Sequence, residues 1–341
     1  MPKIVEVDMN FREYRIAAPN VRSLCWHDQS LVDWVAGGTR YQLDGPIKRS
    51  STVYPFGFDA AVQSASGEVV VIYQRLGTKG LVLNNGQIVR EINRSYYYAD
   101  SYEYPIAILQ HADLNEVLVH CPEKYNQLEL EDVVTNRRLN EAERKPVEIF
   151  HSRLSVSPKG KWLVSAGWQW QPTHTVAIYN VDEIWAQPQI LDTEGFCPSI
   201  QVDISSVSFL DEQTLLIITD EFANLSADLV DTLVQRRGAH SIGYYDLLNR
   251  QFRATVEAEE IVGTAMALSE RYVVGFYDHP KLFDCTTGKV VQRWPDLATG
   301  RQTHSMIGRL DQSIPPIAFD QANQRFAVAD AKGITVIELS L

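Results

Sequence analysis

One pattern recurs seven times along this chain of 341 residues. In each copy a polar turn precedes an apolar run, and a second strand that ends in a tight turn follows. The apolar runs begin near Leu31, Val69, Val117, Trp162, Leu215, Tyr272 and Phe326. The period is about 49 residues, and repeats of that length built from short strands are typical of β-propellers. The sequence therefore predicts an all-β, seven-bladed β-propeller that forms one domain over residues 1–341.

The residues between the strands support this strand order. Turns before the apolar runs are rich in Asp, Asn, Ser, Pro and Gly, as in Ser157–Lys161 and Asp320–Gln324, and these residues favour turn geometry. Asn85-Gly86 supplies the positive φ that a tight hairpin needs. More polar segments such as Gln87–Ile92 then predict a fourth strand at the outer rim of each blade.

The seventh copy ends at Leu341 after its third strand. Spare strand-like segments lie at the start of the chain, at Lys3–Asp8 and Arg12–Ile16. We expect one of them to complete the seventh blade, because joining the two chain ends in one sheet closes the ring and removes an exposed edge.

Two segments, Leu154–Ser165 and the following Val176–Asn180, resemble the repeats of the WD40 and YVTN-like propeller superfamily. A similar sequence recurs at Phe283–Val291. The resemblance extends over nearly the whole chain. The Gly-His and Trp-Asp pairs of strict WD40 repeats are missing from the sequence, and the repeats differ in length. The resemblance implies a propeller and indicates no particular subfamily.

An insertion interrupts the fifth copy between its second and third strands. Ser226 has the character of a helix N-cap, Leu229, Val230, Leu233 and Val234 form an apolar stripe, and Arg236 and Arg237 precede Gly238. This pattern predicts a short helix over about residues 226–237. Its stripe either packs on the propeller rim, or the helix is a docking element that presents Arg236 and Arg237 to a partner.

Other unusual segments belong to the same end of the predicted propeller. Tyr96–Tyr104 contains five tyrosines, and Tyr, Trp and Arg dominate the binding energy of protein interfaces. The candidate partner-binding residues are Tyr97, Tyr98, Tyr102, Trp168, Trp170, His174, Arg236, Arg237 and His279. Two alternatives stay open: that these aromatic side chains fill gaps between blades, and that the tryptophans bind sugars.

Residues that begin the innermost strands are expected to line the central channel; they include Asp59, His151, Arg153, Asp203 and Arg309. A propeller hydrolase or lactonase would place a metal site there. This mixture of arginine, histidine and carboxylate suits internal ion pairing better than a cation site. The sequence contains no nucleophile-elbow or phosphate-loop motif and no His-x-x-x-His spacing. We therefore predict no catalytic residues, no metal and no cofactor, and keep the metal-dependent hydrolase or lactonase as the alternative function.

Composition limits the class of partner. The formal net charge of −12 repels nucleic-acid phosphates and anionic lipid. It either favours a basic protein partner or only keeps the protein in solution. No apolar run is long enough to span a membrane, and the four cysteines form no paired metal motif. These features predict a cytoplasmic protein, with a monomer favoured. The sequence as a whole predicts a non-catalytic protein-binding module or scaffold.

Overall fold

The computed structural model describes residues 10–112, 116–140, 143–170, 173–198, 203–220, 240–307 and 314–340. Within these ranges the strands form seven antiparallel sheets, numbered here as blades 1 to 7 in chain order. In most pairs of neighbouring blades the first strands contact one another, as expected for the innermost strands of a ring. The predicted all-β, seven-bladed propeller is confirmed.

Blades 1 to 4 have the following strands. Blade 1 contains β2 (Cys25–His27), β3 (Ser30–Asp33) and β4 (Thr39–Gln42). Blade 2 contains β5 (Ala60–Gln63), β6 (Val69–Tyr73), β7 (Lys79–Asn84) and β8 (Gln87–Asn93). Blade 3 contains β9 (Ile106–Gln110), β10 (Glu116–His120) and β11 (Glu129–Asp132). Blade 4 contains β12 (Leu154–Val156), β13 (Trp162–Gln169) and β14 (Thr173–Asn180).

Blades 5 to 7 have four strands each. Blade 5 contains β15 (Asp203–Phe209), β16 (Thr214–Asp220), β17 (Ser241–Asp246) and β18 (Gln251–Glu257). Blade 6 contains β19 (Ala265–Ala267), β20 (Tyr272–Gly275), β21 (Lys281–Asp284) and β22 (Val290–Arg293). Blade 7 contains β23 (Ile317–Asp320), β24 (Arg325–Ala329), β25 (Ile334–Ser340) and β1 (Asn10–Ile16).

Blade 7 joins the two ends of the described chain. Strand β1 pairs antiparallel with β25, from Asn10 opposite Ser340 to Ile16 opposite Ile334. The predicted closure by an N-terminal strand is confirmed, with the second of the two candidate segments as the closing strand. β1 covers the backbone edge that β25 would otherwise expose.

The hydrophobic core is divided among the interfaces between blades. Each pair of neighbouring blades shares one cluster of buried side chains, including blades 7 and 1, which share Leu31, Ala327 and Val336. Strands such as β6 are buried along their whole length, which accounts for their uninterrupted apolar sequence. Each fully buried Val, Leu or Ile contributes roughly 1.5–3 kcal/mol, so the ring is stabilised at every blade interface.

The expectation of four strands in every blade is wrong for blades 1, 3 and 4. Their fourth strand is reduced to single bridges, Arg40–Lys48, Glu131–Arg138 and Ile178–Phe196. In blade 4 a helix, α1 (Val181–Ala186), and a 3-10 helix (Pro188–Asp192) follow β14 instead. Asn180 caps α1, because its side-chain oxygen accepts hydrogen bonds from the backbone N–H groups of Asp182 and Glu183.

The helix predicted over residues 226–237 lies outside the described residues. Neither of the described helices reaches the length that a membrane-spanning helix requires.

Candidate binding face

The two ends of the propeller carry different sets of loops. Turns between the first and second strands of each blade lie at one end. Loops between the second and third strands, and the connections between blades, lie at the other end, which we call the loop face. This follows from the antiparallel strand order shared by the blades. The connection into blade 3, the β13–β14 hairpin tip and the loop before β21 are therefore all on the loop face.

Five of the predicted residues come together in one group on this face. They form, with two residues that were not predicted, the aromatic cluster: Tyr97, Tyr98, Tyr102, Tyr125, Phe150, Trp168 and Trp170. The cluster joins the connection into blade 3 to the hairpin of blade 4.

The base of the aromatic cluster is a stack of three rings, of which Phe150 and Trp168 are buried and Tyr125 is half-buried. The Phe150 ring lies parallel to Trp168 at a centroid distance of 3.8 Å, and Tyr125 stacks on Phe150 at 4.1 Å. Tyr102 meets the edge of Phe150 at 5.5 Å. Tyr102 and Trp168 are each 1% exposed, so these two side chains fill the space between blades, as the structural alternative in the sequence analysis expected.

The outer part of the cluster faces solvent. Tyr97 is 45% exposed, Tyr98 42% and Trp170 45%. The rings meet edge to face, with Tyr97 and Tyr98 4.9 Å apart and Tyr98 and Trp170 5.4 Å apart. Such contacts add about 0.5–1.5 kcal/mol per pair beyond burial. The exposed rings therefore rest on buried rings that hold them in place.

A buried arginine fixes the connection that carries the tyrosines. Arg94 donates hydrogen bonds from Nη2 to the carbonyl oxygens of Ala99 and Tyr102, at 2.6 and 2.9 Å. Its guanidinium also lies over the Tyr102 and Tyr104 rings. Burial lowers the pKa of Arg94. The loop that presents Tyr97 and Tyr98 is thus tied to the interior of the propeller.

The hairpin of blade 4 carries Trp168 and Trp170. Strands β13 and β14 extend through most of the segment from Gly167 to His174, and Trp168 pairs with His174. The backbone of Trp168 also exchanges hydrogen bonds with Phe150, at 2.8 and 3.2 Å. A β-carbon on Gly167 would clash with the Phe150 carbonyl oxygen, so glycine permits this close approach.

His174 lies beside the aromatic cluster but is buried. Its ring stacks on His304 at a centroid distance of 3.9 Å, and Nδ1 lies 3.4 Å from the Ser305 hydroxyl. Burial, with smaller contributions from His304 and Arg153, lowers the pKa of His174 to about 3. His174 is therefore a neutral packing residue at physiological pH.

His304 belongs to a segment that crosses the channel. Residues 299–307, the crossing segment, follow blade 6 in sequence but contact blades on the other side of the ring. Ile307 donates its N–H to the Ser101 carbonyl at 2.8 Å. The Ser205 hydroxyl, on β15, donates to the Thr303 carbonyl. The segment therefore lies across the loop-face end of the channel and supports the aromatic cluster from below.

The remaining candidate residues are not placed in the cluster. His279 lies on the loop face before β21, where its Nδ1 is 3.4 Å from the Asp278 carboxylate, and among the described ring contacts it has none with the cluster. Arg236 and Arg237 lie outside the described residues.

Sequence reasoning missed Tyr125 and Phe150. Tyr125 lies in the loop between β10 and β11, and Phe150 lies just before β12. Both positions belong to the loop face by strand order alone. A search for aromatic residues in every loop of that face, rather than in unusual segments only, would have found them.

Exposed carboxylates surround the aromatic cluster. The Tyr125 hydroxyl donates to Glu148, and the Gln169 amide lies 3.4 Å from Glu194. Asp100 is exposed in the connection that carries Tyr97 and Tyr98. Burial and the bond to Glu148 raise the pKa of Tyr125 to about 12, so this hydroxyl remains a donor. Lys124, next to Tyr125, adds one exposed cation.

The channel residues differ from the expected ion-paired set. Asp59 accepts a hydrogen bond from the Arg75 N–H at 2.7 Å, and Asp203 accepts one from the His174 N–H at 3.0 Å. His151 Nδ1 lies 3.0 Å from the Ser165 hydroxyl. Arg153 donates to the Ser205 carbonyl at 2.8 Å. These contacts are with backbone and hydroxyl groups, and Arg309 lies outside the described residues.

Within the described ranges, no group of three or more His, Cys, Asp or Glu side chains is arranged to hold a metal ion.

Comparison with known proteins identifies the fold but no close relative. No protein-family model matches the chain, and no curated protein matches it. Among solved structures it is similar to the WD40 domain of Pan2 from Neurospora crassa, with a TM-score of 0.54 and 11% identity. That similarity covers 94% of this chain and 89% of the Pan2 chain. The fold is widespread, since 948 chains of solved structures match. The protein is therefore a seven-bladed β-propeller whose fold is similar to that of a WD40 domain.

Proposed function

We propose that the protein is a non-catalytic protein-binding module whose partner docks on the loop face against Tyr97, Tyr98 and Trp170. The observation that carries this proposal is the exposure of three neighbouring aromatic rings on a buried aromatic base. Aromatic anchors of this kind supply most of the binding energy at protein interfaces. Because the base and the Arg94 anchor fix these rings beforehand, little conformational entropy is lost on binding.

Charge favours a basic partner. The protein has a formal net charge of −12, and Asp100, Glu148 and Glu194 lie close to the exposed rings. A partner with lysines or arginines around an apolar centre would be complementary to this arrangement. Arg236, Arg237 and His279 are proposed as outer contacts of the same face, from their positions in the sequence.

The test compares two variants as bait in extract of the source cell. Tyr97→Ala with Trp170→Ala removes two anchors and leaves the buried base intact. Leu248→Ala is the matched control, because Leu248 is 52% exposed on a β17–β18 turn at the opposite end of the propeller. Proteins retained by the wild type and the control, but lost with the double variant, are candidate partners.

The affinity of one purified candidate partner for the wild type and for the double variant then tests docking at the aromatic cluster. Losing two anchors should weaken its binding roughly 30-fold or more, and affinity should fall as salt rises if the partner is basic. A partner that binds the double variant as tightly as the wild type would contradict docking at this cluster.

A further inference from the structure

A cavity of about 200 Å³ lies at the loop-face end of the central channel. Its walls come from blades 2, 4, 6 and 7, from the connection into blade 3 and from the crossing segment. The residues with polar or charged side chains are Arg75, Glu103, Arg153, Thr264, Thr299 and Gln302. Since one water occupies about 30 Å³ of liquid, the cavity has the volume of about seven water molecules, which is large enough for a small organic ligand.

Arg153 lines this cavity, and not all of its hydrogen-bond donors have a partner in the described part of the chain. Its Nη2 donates to the Ser205 carbonyl, whereas its Nε is buried with no hydrogen-bond partner in the described part of the chain. No carboxylate there forms an ion pair with Arg153. Burial lowers its pKa to about 10, with Glu103 opposing that shift. A buried guanidinium of this kind is stabilised by an anion.

The backbone at Arg153 is also unusual. Its φ is +42°, in the left-handed region that a long side chain seldom occupies. Such a conformation costs on the order of 1–3 kcal/mol and clusters at binding sites. Here it occurs at the entry to β12, where the arginine side chain reaches the channel.

A second arginine shares the same wall. Arg75 follows β6, and no ion pair of its side chain is found among the described residues. Glu103 is the carboxylate of the wall, and its Oε1 accepts a hydrogen bond from the Tyr73 hydroxyl at 2.8 Å. Two guanidinium groups and the Glu103 carboxylate therefore line the cavity, and the Asp59 carboxylate, which accepts the Arg75 backbone N–H at 2.7 Å, lies beside Arg75.

The rest of the wall is apolar. Ile317 and Phe319 are on β23, and Phe276 follows β20; the Phe276 and Phe319 rings lie 5.0 Å apart. Phe319 is 40% exposed although it belongs to an innermost strand. One cavity thus offers charge on one part of its wall and aromatic surface on another.

We propose that this cavity binds a small organic carboxylate, with its anionic group on Arg153 and Arg75 and its apolar end against Phe276 and Phe319. This site is separate from the exposed aromatic cluster and does not depend on the proposed partner. Arginine is suited to the task because its planar guanidinium forms paired hydrogen bonds with carboxylates.

Calorimetric titration with benzoate tests the proposal. Benzamide, which has nearly the same shape without charge, and inorganic phosphate, which lacks an apolar end, are the comparison ligands. We expect benzoate to bind at least about tenfold more tightly than either, since charge-assisted hydrogen bonds and aromatic contact both contribute.

Variants assign the binding to the cavity. Arg153→Gln and Arg75→Gln should each weaken benzoate binding about tenfold or more, and Glu103→Gln should strengthen it by removing a like charge. Arg12→Gln, at an exposed position on β1, is the matched control and should change nothing. Circular dichroism checks that each variant is folded.

Two results would overturn the proposal: equal affinity for benzoate and benzamide, or unchanged benzoate affinity in both arginine variants. The Tyr97→Ala/Trp170→Ala protein should bind benzoate normally, so failure of this proposal and failure of partner docking are distinguishable.

Discussion

At the scale of single residues, two buried histidines make the loop face sensitive to acid. His151 and His174 are both buried, and desolvation lowers the pKa of each to about 3. An unfolded histidine titrates near pH 6.5. Between these values the unfolded chain binds protons that the folded chain does not, so the free energy of unfolding decreases as the pH falls.

We therefore expect the protein to be less stable at pH 5 than at pH 7. Each of the two histidines accounts for a loss of about 2 kcal/mol over that interval. Urea denaturation at both pH values measures the loss, and His174→Gln should remove its share. An equal loss in the wild type and in His151→Gln and His174→Gln would show that other groups cause it.

At the scale of elements, the β13–β14 hairpin organises the candidate site. Its pairing extends from Trp162 opposite Asn180 to Gln169 opposite Thr173. Trp168 lies on its inner side, buried against Phe150, and Trp170 lies at its tip. One hairpin thus contributes to both the base and the exposed part of the aromatic cluster.

Gly167→Ala tests how far the cluster depends on this hairpin. The added methyl group would press on the Phe150 carbonyl, so we expect a loss of stability of roughly 1–3 kcal/mol. The near-ultraviolet circular dichroism of the stacked rings should weaken as well. Gly57→Ala is the control, because its β-carbon would meet only the Gln74 amide nitrogen, at an ordinary contact distance of 4.0 Å. A Gly167→Ala protein with the stability of the wild type would contradict the close approach.

The strands were predictable from sequence because their signals are local. Apolar runs begin at Val69, Trp162 and Tyr272, and β6, β13 and β20 begin at the same residues. The outer strands were less predictable, since rim segments contribute few apolar contacts and a cap such as Asn180 can start a helix there instead.

The candidate site was only partly predictable. Tyr97, Tyr98, Tyr102, Trp168 and Trp170 were placed on one face correctly, because strand order fixes which loops share an end. Their burial was not predictable, since it depends on the crossing segment and on Phe150, which are distant in sequence. The side chains that share the cavity around Arg153 come together only in the closed ring.

At the scale of the whole molecule, ring closure should control stability. Deleting residues 1–17 removes β1 and exposes the edge of β25 as well as part of the core between blades 7 and 1, where Tyr14 and Ile16 pack. We expect the melting temperature to fall by roughly 5 °C or more, with a greater tendency to aggregate.

Deleting residues 1–9 alone is the control for that experiment, because it leaves β1 whole. Scanning calorimetry of the two deletions measures the difference. Equal melting temperatures for both shortened proteins and the full chain would mean that β1 contributes nothing to closing the ring.

The pairing of β1 with β25 has a consequence for synthesis. Of the described strands, β1 leaves the ribosome first and its partner last, so blade 7 cannot be completed until the others have emerged. β1 therefore stays unpaired with β25 during translation. The ring closes by a contact between the two described strands that are farthest apart in sequence. Such non-local contacts form slowly. The final docking of blade 7 is therefore the step at which a newly made molecule is most exposed to misassembly with another copy.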